Sequence, residues 1–140
     1  MSSKNTQEIN YLDTDEVLEI YQKIMQQYGR VHTTLLTDRV DEIILQHKNY
    51  KGDIFQKAAV FIKELIAAKP RPFVDGHKRA CWISTVRFLE KNGYKFFDIN
   101  SLKDVKFIEE NIVSYLIKIQ QKEITNIDEI AHWIRNLFVK

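Results

Sequence analysis

A chain of 140 residues that is 44% apolar and 29% charged can bury a sizeable core, which excludes disorder. Four glycines and two prolines are too few for the many turns of a β-sandwich or barrel, and a net charge of +2 is too small to make nucleic-acid binding the default. A single cysteine, Cys81, cannot close an internal disulfide and fits a reducing compartment. The polar N-terminus does not read as a signal peptide, and no apolar run approaches the roughly 20 residues of a membrane span, so a cytoplasmic protein without a membrane partner is expected.

Residues 1–9 are polar and are expected to fray, leaving 10–140 as one domain. A first helix opens at Asp13 or Thr14, where Glu16 is placed for a capping box on Asp13. Val17, Ile20, Tyr21, Ile24, Met25 and Tyr28 follow at helical spacing, and Gly29 is the stop. A second helix over 33–47 carries Leu36, Val40, Ile43 and Ile44 on one face, with Asp38, Arg39, Asp41 and Glu42 mostly on the other.

Gly52 breaks the chain, and the segment 53–68 is apolar on most sides, which marks a central, buried helix. Pro70 and Pro72 end it. A fourth helix runs from His77 to Asn92, with Gly93 after it, and Tyr94–Ile99 reads as one or two short strands. Ser101 with Asp104 opens a fifth helix, whose stripe is Val105, Ile108, Ile112, Tyr115 or Leu116, and Ile119. Asn126 with Glu129 caps a last helix holding Ile130, Trp133, Ile134, Leu137 and Phe138. The expected fold is an all-α bundle of about five to seven helices around a buried central one, with at most a minor strand pair.

One stretch stands apart. Lys69–Arg79 holds four cations (Lys69, Arg71, Lys78, Arg79) against one acid, Asp75, and leads through Gly76 into a helix. The first N–H groups of a helix lack partners within it, and its N-terminal end is partially positive. Cations placed beside them make an anion site suited to phosphate. Most Pro- and Gly-rich loops between helices bind nothing, and Asp75 at such a spot is most often a plain cap, so composition alone slightly favours an ordinary loop.

The run Pro72-Phe-Val-Asp-Gly-His-Lys-Arg79, followed by an apolar helix ending Phe88-Leu-Glu-Lys-Asn-Gly-Tyr94, resembles the signature of the Fic/Doc (death-on-curing) family. That signature reads His-Pro-Phe-x-Asp-Gly-Asn-Lys/Gly-Arg, then Phe-Leu-x-x-Asn-Gly-Tyr. Tyr11-Leu12 with Val17-Leu18, and Ile127–Arg135, are similar to Doc-type ends more loosely. The resemblance implies that Phe73 anchors the loop and that Asp75 holds a magnesium ion on the phosphates of ATP or another nucleotide. It also implies an anion hole from Gly76, His77, Lys78 and Arg79. Lys78 is the Doc-like choice, which goes with phosphoryl rather than AMP transfer to a Ser, Thr or Tyr hydroxyl of a target protein, and with a cognate antitoxin.

Two positions depart from the signature: Arg71 stands where the family keeps its catalytic histidine, and His77 where it keeps asparagine. A guanidinium has no acceptor and stays charged, so Arg71 cannot serve as the general base. His77 is the one substitute base in the loop, although a phosphate-contacting or structural role suits it better. The expectations are therefore an impaired Doc-like transferase or, alternatively, a nucleotide- or phosphate-binding module without turnover. A helical DNA-binding regulator is a weaker third, since no helix shows a base-reading pattern. His32, His47 and His132 form no metal cluster with cysteine, and Cys81 and Trp133 read as core.

Overall fold

The computed structural model describes residues 8–27, 36–73, 76–96 and 102–140, the side chains of 102–109 excepted. Six helices and two strands occupy these residues: α1 (Thr14–Gln27), α2 (Thr37–Asn49), α3 (Ile54–Ala67), α4 (His77–Lys91), β1 (Lys95–Phe96), α5 (Leu102–Gln120), α6 (Ile127–Arg135) and β2 (Phe138–Val139). The fold is all-α with one minor antiparallel strand pair.

Three helices begin where side chains satisfy the first-turn N–H groups. Asp13 Oδ1 accepts from the Glu16 N–H at 2.8 Å, and Glu16 Oε1 accepts from the Asp13 N–H at 3.1 Å. Asp53 caps α3 in the same reciprocal way with Gln56, and Asn126 caps α6 by accepting from the Glu129 N–H. The expected stop at Gly29, the residues before Leu36 and the Ser101–Asp104 cap lie outside the described residues.

α3 is the hub and packs on α2, α4, α5 and α6, while α1 lies on α2 and α4. Phe61, Ile62 and Leu65 of α3 are fully buried, as are Val17 and Tyr21 of α1, Val40 of α2, Phe88 and Leu89 of α4 and Ile130 and Ile134 of α6. These residues form one continuous core.

Leu36 and the end of the last helix differ from the sequence expectation, and two buried polar side chains lay outside it. Leu36 is exposed at the N-terminal end of α2, because its N–H is tied to the Pro72 carbonyl at 3.0 Å and not turned to the core. His47 is fully buried, between the rings of Phe61 (4.3 Å), Phe88 (4.9 Å) and Tyr11 (5.3 Å). Lys57 is buried too, and its Nζ donates to the Lys48 and Tyr50 carbonyls, closing the end of α2. The last helix stops at Arg135, so Leu137 and Phe138 are not in it. Phe138 instead pairs in register with Phe96. A tight turn closed by the Leu137 N–H on the Ile134 carbonyl sends the chain to that strand, where ring packing outweighs further helical bonds.

Candidate functional site

The segment after α3 is held from three sides. Pro72 is buried and accepts from Leu36, and Phe73 is completely buried, tilted against Tyr21 at 5.1 Å and His77 at 5.9 Å. Phe73 is therefore an anchor of the loop, and its ring cannot reach a ligand. Gly76 sits at φ +64°, a left-handed conformation that L side chains rarely adopt, and an added Cβ would meet Met25 Cε at 2.9 Å. Its carbonyl accepts the first helical bond of α4, from the Ala80 N–H at 2.9 Å, and it brings no side chain to cap the turn. No acid occupies that first turn.

The far end of α4 is locked to the N-terminal segment. Asn92 exchanges two 2.8 Å hydrogen bonds with the backbone of Asn10 and donates a third to the Phe88 carbonyl. Lys91 reaches the Glu16 carboxylate at 2.8 Å. Gly93 follows at φ +89°, ending the helix. The Asn-Gly run thus fixes the axis along which the first turn of α4 is presented.

A cleft of about 890 Å³ opens at that first turn. One wall is Arg71 with Gly76, Lys78, Arg79 and Trp82, and the other comes from α5, including Glu110, Ile112, Val113, Ser114 and Leu116. Arg71 and Arg79 are exposed and Lys78 half-buried. Among the described residues no carboxylate is paired with Arg71 or Lys78. The cleft is thus cationic on the α4 side and mixed along α5, where Ile112, Val113 and Leu116 stand with Glu110 and Ser114. A smaller cleft of about 380 Å³ between α1 and α4 has mixed charges, its Glu16 and Lys23 already engaged in ion pairs.

His77 borders the cleft, yet it is only 4% exposed and its ring faces inward. Nε2 lies 3.3 Å from the Ile66 carbonyl, which can only accept, so Nε2 carries the proton, and the Cys81 sulfur lies 3.8 Å from the bare Nδ1 and 3.7 Å from Nε2. Burial, with the charges of Arg71 and Lys78, pushes the His77 pKa below its usual value against the Ile66 bond. The ring is thus turned toward the core behind the cleft it borders. Cys81 is fully buried, and burial raises its thiol pKa well above the usual value, so it is inert.

Asp75, expected to hold a metal ion, lies outside the described residues. Among the described residues no group of three His, Cys, Asp or Glu side chains could hold a metal, and no helix is long and apolar enough to cross a membrane. The α5 wall escaped the sequence reading. Ile112 and Leu116 have the spacing of core residues, and periodicity cannot separate a cleft wall from a core face. Comparison with models of protein families gives no match, and no curated protein matches the chain.

Proposed function

We propose that the cleft at the start of α4 binds a phosphate-bearing ligand, a nucleotide with magnesium, and that the chain as written binds without rapid turnover. The observation that carries this is the convergence of Arg71, Lys78 and Arg79 on one cleft of about 890 Å³ at a helix N-terminus whose cap residue, Gly76, brings no side chain and whose first turn holds no acid. The Fic/Doc resemblance adds the nucleotide and the magnesium ion, with Asp75 as its protein ligand. The metal would neutralise charge on the phosphates. Two groups could have served as a general base and neither is suited to it: Arg71 lacks an acceptor, and His77 keeps its own in the core.

A second reading is phosphoryl transfer, less readily AMP transfer, to a hydroxyl of a target protein by a toxin held in check by an antitoxin. It is favoured by Lys78 and Arg79 standing together on the cleft, as a Doc-like site requires.

Calorimetry with magnesium–ATP tests the binding. Arg79→Ala removes a charge-assisted contact worth about 1.5–3 kcal/mol, so affinity should fall roughly 10- to 150-fold. Equal affinity for both proteins would sink the proposal.

A further inference from the structure

We propose that Trp82 is the ring-stacking residue of this cleft, and that its ligand is an anion carrying a flat aromatic ring, a nucleoside phosphate in preference to inorganic phosphate. This inference rests on the anion-binding proposal above and narrows it. Trp82 follows Arg79 by three residues and Lys78 by four, so all three share one face of α4, with the Trp82 Cα about 6 Å further along the helix axis than that of Lys78. That offset suits a molecule with its charge at one end and its ring at the other.

The indole is seated before any ligand arrives. Trp133 lies 5.6 Å away, Phe96 6.0 Å and Phe138 6.2 Å, and these rings fix its orientation. It remains only half-buried and lines the cleft. The same cleft is lined from α5 by Ile112, Val113 and Leu116 together with Glu110 and Ser114, and Val113 is 44% exposed. Along α4 the wall changes from the cations Lys78 and Arg79 to the indole of Trp82. Inorganic phosphate would use only the first part, leaving an apolar slot filled with water. A planar ring displaces that water and stacks on the indole, an interaction tolerant of base identity because every base has a π-face.

The test compares magnesium–ATP with magnesium–tripolyphosphate by calorimetry at fixed salt, using wild type, Trp82→Tyr, Trp82→Leu and Val113→Trp. Wild type should prefer ATP by roughly 5- to 150-fold, the worth of one stacked base. Trp82→Leu should reduce ATP to the level of tripolyphosphate and leave tripolyphosphate unchanged, while Trp82→Tyr keeps most of the preference. Val113→Trp, at an exposed position that does not endanger folding, should fill the slot and remove the preference even if Trp82→Leu fails to fold. Equal binding of the two ligands by wild type overturns the role of Trp82 and leaves the anion site standing. Equal weakening of both ligands by Trp82→Leu also overturns it, as a structural effect. Binding of neither ligand by wild type overturns the anion site and this inference together.

Discussion

At position 71 a guanidinium projects into solvent beside the cleft. Losing a positioned general base costs about 100- to 10,000-fold in rate, while the proposed phosphate binding needs only positive charge at this position and should survive. Wild type should therefore leave a cell lysate unlabelled when supplied with labelled ATP, and Arg71→His should label a protein in it. Bound ATP without label from either protein would leave binding as the sole function. The second residue-scale consequence lies at His47. Burial holds its pKa near 4, with the Lys57 charge pressing the same way and the Lys57 carbonyl opposing, and its buried Nε2 has no partner. An unfolded histidine takes its proton near pH 6.5, but the folded one resists until about 4. Stability is therefore full above pH 6.5 and falls as the pH drops to about 4, by on the order of 3 kcal/mol. His77, also lowered, adds to the loss in the same direction. Urea unfolding at pH 7.5 and pH 5 should show the drop, and His47→Phe, which keeps a ring among Tyr11, Phe61 and Phe88, should flatten it.

At the scale of elements, the helix starts follow from local chemistry. An acid or amide followed three residues later by Glu or Gln satisfies first-turn donors without help from the rest of the chain, which is why the caps at Asp13 and Asn126 could be read directly. The Asp53–Gln56 box has the same pattern and begins the hub helix, and Asp53 also receives Arg135 of α6 at 3.1 Å. Asp53→Ala should cost about 1–2 kcal/mol, seen as a lower urea midpoint with an unchanged slope. The end of α6 was not legible. Leu137 and Phe138 continue its apolar periodicity, and nothing local says that Phe138 will pair with Phe96 forty-two positions earlier.

Across the whole molecule, the aromatic group of Trp82, Phe96, Trp133 and Phe138 joins α4, α6 and both strands, and its member Trp82 lines the cleft. Phe138 is 6% exposed, so Phe138→Ala should cost about 3–5 kcal/mol. It should also blunt the near-ultraviolet circular dichroism of Trp82 and Trp133. An unchanged spectrum and midpoint would mean that the strand pair does not hold the cluster.

The sequence determined the helical class and the central position of α3, because these rest on periodicity, capping and apolar content, all local properties, whereas the burial of Phe73 was expected only from the family resemblance. It also marked Lys69–Arg79 as the charged stretch leading into α4. Tertiary structure alone decided which way His77 faces. A histidine at the head of a helix can meet a ligand or the core, and the Ile66 carbonyl eleven residues earlier holds it in the core. The second wall of the cleft was decided the same way, since α5 comes to lie across from the first turns of α4 only once both have packed on α3.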